Sequence, residues 1–183
     1  MNKLILRKPS KEYEEQVMNY KKAFIESNDT FDGCAGLEDA SSYDEWIKFE
    51  ERLRKRYGNQ YVPSDVYLAI REDDNKLVGM IDYRYDLSDF LFKYGGNIGF
   101  SVLPEERRKG YAKEMLRQLI EKCKELKIDK VLLVCDKENI ASVKTIIYNG
   151  GVLENEINDD VGLTKSGTIQ RYWINIYGGE YVK

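Results

Sequence analysis

The stretch from Gly96 to Cys135 constrains this chain most. Gly96–Leu103 reads as a strand stopped by Pro104. Downstream, Ala112, Met115, Leu116, Leu119, Ile120, Cys123 and Leu126 recur at helical spacing and lay one apolar face along a long helix. Val131–Cys135 is a continuous apolar run, the pattern of a central parallel strand covered on both faces. A strand, a helix and a strand in that order predict a right-handed crossover with parallel strands.

The rest of the chain adds elements around this unit. Leu4–Leu6 reads as a first strand. Ser10 is placed to cap a helix whose first turn carries Glu12, Glu14 and Glu15, with Tyr13, Val17, Tyr20 and Phe24 at helical spacing. Asn28–Gly36 is rich in turn formers. Ser42 and Glu45 match a capping box opening a second helix. That helix has Trp46, Phe49 and Leu53 on its apolar stripe and Arg52, Arg54, Lys55 and Arg56 on a solvated face. Val66–Arg71 and Leu77–Tyr85 predict an antiparallel hairpin. Asp86–Tyr94 reads as a loop holding Phe90, Leu91 and Phe92. Asn139–Asn149 fits a short helix ended by Gly150-Gly151. Val152–Ile157 and Thr168–Tyr177 fit strands joined by the loop Asn158–Gly167. The expected class is α/β of the α+β type, a mixed central sheet of about seven strands flanked by about four helices. Residues 1–183 are expected to form a single domain.

Composition then narrows the chemistry. There is no histidine, which removes Ser-His-Asp and Cys-His catalysis and every His-ligated metal site. Cys34, Cys123 and Cys135 form no CxxC pair and are too few for a four-cysteine zinc site, so no metal is expected. Cys123 and Cys135 read as core thiols, and Cys34 as an exposed thiol in a glycine-rich loop. The net charge of −3 argues against a nucleic-acid partner. The N-terminal residues lack the apolar stretch of a signal peptide, and the apolar run Val131–Cys135 is far too short to span a membrane. Sparse cysteines suit a reducing compartment, so the expected location is cytoplasmic, with no membrane partner.

The junction Val102-Leu103-Pro104-Glu105-Glu106-Arg107-Arg108-Lys109-Gly110-Tyr111-Ala112 carries the chemistry. A strand ends, a tight turn follows, and a long helix begins at a glycine. The first N–H groups of a helix have no internal partner, and the macrodipole is positive there. Small residues at Gly110 and Ala112 let a ligand approach, and Arg107, Arg108, Lys109 and Lys113 add positive charge. That is a phosphate or pyrophosphate cradle, though neither a Walker A loop nor a Rossmann fingerprint.

Arg107-x-x-Gly110-x-Ala112 resembles the (Gln/Arg)-x-x-Gly-x-(Gly/Ala) signature of the GCN5-related N-acetyltransferase family, and Asn139-Ile140-Ala141-Ser142 with Gly150 resembles its second segment. The resemblance implies a fold in which the fourth and fifth strands are parallel and splay apart around acetyl-CoA. Pantetheine would pair with the backbone of Phe100, Ser101 and Val102. The pyrophosphate would sit on Arg108–Lys113, which includes Tyr111, beside Arg107, with Asn139 and Ser142 also at the cofactor. The implied reaction moves an acetyl group directly from acetyl-CoA to a primary amine of a small molecule or peptide. The backbone N–H near Val102 would stabilise the oxyanion. The alternative is an acyl-CoA-binding sensor or regulatory domain without turnover.

Catalytic residues are not set by this resemblance. Many relatives place a tyrosine where this chain has Ile146, and Tyr148 should point another way round the helix. Asp82, Asn97, Tyr94, Asp89, Glu38 and Asp39 are candidates for the base, as is a water held by a backbone carbonyl. Trp173 and Tyr172 lie on a last strand expected to pack, to form the acceptor cleft or to build a homodimer. Acidic residues in the loops Asn28–Ser41, Asp86–Tyr94 and Asn158–Gly167 point toward a cationic acceptor.

Overall fold

The computed structural model describes residues 3–55 and 62–177. Its elements follow in the expected order: β1 (Leu4–Arg7), α1 (Glu14–Ser27), α2 (Tyr43–Arg54), β2 (Ser64–Arg71), β3 (Lys76–Arg84), β4 (Ile98–Val102), α3 (Tyr111–Glu125), β5 (Lys130–Asp136), α4 (Ile140–Tyr148), β6 (Val152–Asn158) and β7 (Thr168–Asn175). No helix among the described residues is long and apolar enough to cross a membrane.

The strands form two sheets, ordered β1-β2-β3-β4 and β5-β7-β6. Every ladder among the described residues is antiparallel. The two strands around α3, β4 and β5, share no ladder and splay apart, as the resemblance implies. Strand β5 pairs with β7 on one side and meets the first sheet only near Gly96, which bridges to Leu133. Asn97 makes that junction. Its N–H donates to Leu132 O (2.7 Å) and its Oδ1 accepts from Leu132 N (2.8 Å). Its Nδ2 donates to Arg84 O (3.0 Å), and its carbonyl accepts from Arg84 N (2.7 Å). Gly96 is required beside it: its φ is +71°, and a Cβ there would lie 2.5 Å from Leu132 O. Beyond this clasp β4 and β5 diverge with no ladder between them.

Alternation along β2 and β3 covers the first sheet on both faces. Val66, Leu68, Ile70 and Met80 pack with Val17, Tyr20, Phe24 and Trp46 of α1 and α2. Ala69, Val78 and Ile81 pack with Met115, Leu116 and Leu119 of α3, in a core that continues to Leu133, Tyr172 and Ile174 of the second sheet. The apolar stripe of α3 is thus the wedge between the two sheets. Leu126, the last residue of that stripe, lies past the helix end and is exposed.

Local details depart from expectation in three places and add to it in one. Ser10 caps a 3-10 turn, Lys11–Tyr13, before α1, and its hydroxyl reaches Glu12 (3.1 Å) instead of the helix backbone. In the capping box Ser42 Oγ accepts from Glu45 N (3.2 Å), but the Glu45 carboxylate reaches Ser41 N (2.7 Å), one residue early. Arg52, Arg54 and Lys55 are exposed as expected, and Arg54 also pairs with Glu50 (2.7 Å) and Asp65 (3.2 Å); Arg56 lies outside the described residues. The end of the Asp86–Tyr94 loop winds into a π-helical turn, Leu91–Gly95, closed by Gly96 N to Leu91 O (2.7 Å) and started at Ser88, whose carbonyl takes Phe92 N (2.7 Å).

Candidate active site

The divergence of β4 and β5 opens a cleft of about 700 Å³. Phe100 lines it from β4, Val134 and Cys135 from β5, and Asn139, Ser142 and Ile146 from the start and body of α4. Three loops close the remaining sides, contributing Asp29 and Asp32, then Phe90 and Tyr94, then Leu163 and Lys165.

One edge of β4 faces this cleft unpaired. Leu103 N donates to Val78 O (2.9 Å) and Asn97 O accepts from Arg84 N (2.7 Å), so Gly99 and Ser101, in step between them, turn their main-chain groups toward β3. Ile98, Phe100 and Val102 turn theirs the other way. The expected trio on β4 therefore divides: Phe100 presents N–H and C=O at the open edge, Val102 its N–H, since its C=O accepts from Arg107 Nε (3.1 Å), and Ser101 neither. The Ser101 hydroxyl instead accepts from Tyr20 OH (3.0 Å) and donates to Asp32 O (2.6 Å).

The turn after β4 is shaped by two left-handed residues, Arg108 (φ +62°) and Gly110 (φ +87°). Glycine adopts that conformation without a Cβ clash. The first main-chain bond into α3 is Glu114 N to Gly110 O (3.2 Å), so the N–H groups from Arg108 to Lys113 have no main-chain partner among the described residues. Alternating left- and right-handed residues at a helix start make a concave anion cradle. Much of the positive charge nearby is already engaged. Arg107 Nε donates to Val102 O (3.1 Å), and its Nη2 pairs with Asp29 (2.8 Å). Lys109 binds Glu106 (2.9 Å), and Lys113 Nζ lies 4.2 Å from the Tyr148 ring centre. Tyr111 is buried, its hydroxyl accepting from Arg71 (3.1 Å). Ala112 packs against the core, and Arg108 has no ion-pair partner among the described residues.

Glu106 holds this turn. It is buried and binds Arg71 (2.9 Å), Lys76 (2.7 Å) and Lys109 (2.9 Å). Burial favours its neutral form, but the lysine hydrogen bonds and the Arg71 charge outweigh it and hold its pKa at about 2.

Asn139 caps α4, its Oδ1 accepting from Ser142 N (3.1 Å), and both line the cleft, whereas the Arg107–Ala112 turn lies outside its lining. Ile146 lines it and Tyr148 is exposed on another side of α4. The candidates for the base separate clearly. Asp82 is buried outside the cleft lining, its Oδ1 accepting from Gly99 N (2.8 Å) and its Oδ2 pairing with Arg84 (3.1 Å). Burial raises its pKa, against the pull of Arg84. Asn97 is the clasp between sheets. Asp89, Glu38 and Asp39 are exposed and do not line the cleft, whereas Tyr94 does.

Two cysteines differ from expectation. Cys34 is buried, not exposed: Trp46 Nε1 donates to its carbonyl (2.9 Å), and burial raises its thiol pKa. Cys135 lines the cleft, and burial pushes its pKa up to about 12. Sequence reasoning missed Arg84, whose Nη1 donates to Gly95 O and Gly96 O (both 3.2 Å) while its side chain lines the cleft. The signal was its place two residues after Asp82, on the same strand face.

The family model described as Acetyltransferase (GNAT) family matches residues 28–146. Comparison with curated proteins by sequence gives no match. Several solved structures share the fold. A ribosomal-protein-S5-alanine acetyltransferase from Vibrio fischeri superposes with a TM-score of 0.69 at 14% identity, over 97% of this chain and 96% of that one. A dodecameric spermidine N-acetyltransferase from Vibrio cholerae gives 0.66 at 14% identity, over 94% of each chain. The microcin C7 self-immunity acetyltransferase MccE, solved with acetyl-CoA and AMP, gives 0.63 at 16% identity, over 96% of this chain and 93% of that one.

Proposed function

The chain belongs to the GNAT acetyltransferase family, and from that premise we propose that it transfers an acetyl group from acetyl-CoA to a primary amine of a small molecule or peptide in the cleft between β4 and β5. The observation that carries this reading is the unpaired edge of β4 ending at the Arg108–Gly110 cradle. A pantetheine arm has amides that such an edge can pair with, and a pyrophosphate suits uncommitted N–H groups at a helix start. The residues present fit acetyl-CoA in both respects.

When bound, acetyl-CoA supplies an activated acyl thioester; the amine nitrogen bonds to its carbonyl carbon as the C–S bond breaks, and the amine proton leaves to a base or water. Phe100 and Val102 hold the arm, and the Val102 N–H, on the open edge, is placed to receive developing oxyanion charge. Tyr94 is the candidate side chain for proton transfer that lines the cleft. Ile146 cannot donate a proton, so the thiolate would take its proton from water or Tyr94. The three unpaired cysteines suit a reducing cytoplasm.

Calorimetry with acetyl-CoA, followed by release of free CoA thiol over a panel of amines, tests the reading. Binding with turnover on an amine is the expected result. No binding overturns it, and binding without turnover on any amine turns it into the sensor reading, for which Ile146 in place of an acid is the supporting observation.

A further inference from the structure

Asp29, Asp32, Asp136 and Glu138 line the cleft, with Asp159 and Asp160 on the neighbouring β6–β7 loop. Asp29 pairs with Arg107 (2.8 Å). Asp136 accepts from Lys165 N (2.8 Å) and Ser166 N (3.3 Å). Asp159 accepts from Thr164 Oγ1 (2.8 Å), and Asp160 pairs with Lys93 (3.1 Å). Among the described residues Asp32 keeps only the Thr30 hydroxyl (2.7 Å) as a side-chain partner, and Glu138 has none. The negative charge that remains suits the ammonium form of an entering amine, and the rest of the ligand is decided by the apolar lining.

Phe90 is 52% exposed and Leu163 is 53% exposed, on two different loops, and both line the cleft. Leu91, Tyr94, Val134 and Ile169 continue the same lining. The Phe90 and Tyr94 rings lie 5.4 Å apart, tilted at 52°. This apolar surface is held in place: Lys93 ties its π-helical turn to Asp160 on the β6–β7 loop, and the Arg171 guanidinium lies 4.7 Å from the Phe92 ring centre on the same turn. A rigid apolar mouth with wet side chains gains most from an apolar ligand group.

We propose that the acceptor is a primary amine carried on an apolar group of aromatic size, which seats between Phe90 and Leu163 with its nitrogen toward the β4 edge. This rests on the acetyltransferase reading and narrows the expectation of a cationic acceptor to one with an apolar body. Entry into an apolar mouth also lowers the pKa of the amine and favours its nucleophilic neutral form.

The test compares acetylation of 2-phenylethylamine and spermidine by the full chain and by its Phe90→Ala and Leu163→Ala variants, with acetyl-CoA affinity measured by calorimetry throughout. The expected kcat/KM is about tenfold or more higher for 2-phenylethylamine. Each variant should lower that preference by about threefold to tenfold, through KM, with acetyl-CoA affinity unchanged. Preference for spermidine, or an unaltered preference in both variants, overturns the proposal while leaving the acetyltransferase reading intact. Acetyl-CoA binding with no acetylation of any amine removes that reading and this inference with it.

Discussion

Arg107 pairs with Asp29 at 2.8 Å while its Nε donates to Val102 O at 3.1 Å, so one side chain joins the cofactor turn, the end of β4 and the α1–α2 loop. In Arg107→Ala both contacts go. The ion pair is partly exposed and contributes at most about 1 kcal/mol to stability. The larger expected effect is a rise of about fivefold to tenfold in KM for acetyl-CoA, since the turn loses its tie to β4. Arg107→Lys should not rescue it, because one ammonium cannot keep the fork geometry. Steady-state kinetics alongside thermal unfolding separates the two effects.

Gly110 sits at φ +87°, a conformation that costs an L residue about 1 kcal/mol or more. Gly110→Ala should weaken acetyl-CoA binding about tenfold by deforming the cradle. Gly110→Asp should weaken it further by repelling the pyrophosphate. Calorimetric titration reads both, and unchanged affinity in the two variants would place the cofactor elsewhere.

Glu106 has a pKa near 2 in the folded chain against an ordinary value of 4.5. A depressed carboxylate stabilises the fold above its unfolded pKa and loses that contribution as pH falls toward the folded one. Glu106 therefore contributes up to roughly 3 kcal/mol at neutral pH, lost between about pH 5 and 2. Glu106→Gln should be less stable at pH 7 and should show a flatter loss of stability over that window. Urea unfolding at several pH values measures it.

Asn97 makes four hydrogen bonds that span β3, β4 and β5. Asn97→Ala deletes the two from its amide and leaves Leu132 N and Arg84 O unpaired. The expected cost is about 2–4 kcal/mol, a fall of roughly 5–10 °C in Tm at this chain length. Asn97→Asp should do no better, since a carboxylate then faces the Arg84 carbonyl. Differential scanning calorimetry tests both.

Element order was legible because apolar spacing reports which face of each segment is covered. Met115, Leu116, Leu119 and Ile120 mark the wedge helix in the sequence and in the core alike. What spacing does not report is which strand lies beside which. The run Val131–Cys135 looks the same whether its neighbour is parallel or antiparallel, so the pairing of β5 with β7 was not visible. At the site, Gly110 and Asn139 were legible from motif context. Arg84 and the engagement of Arg107 with Asp29 were not, because both depend on loops brought together only by the fold. Cys34 shows the same limit, since glycine neighbours suggest exposure while Trp46 covers it.

The bare edge of β4 has one more consequence. A strand edge on the rim of a protein invites pairing with other chains and is a source of aggregation. Here the unpaired groups of Phe100 face inward, with the second sheet standing opposite as a screen. The protein can thus keep a sticky edge permanently in reserve for a slender ligand, out of reach of neighbouring molecules in a crowded cell.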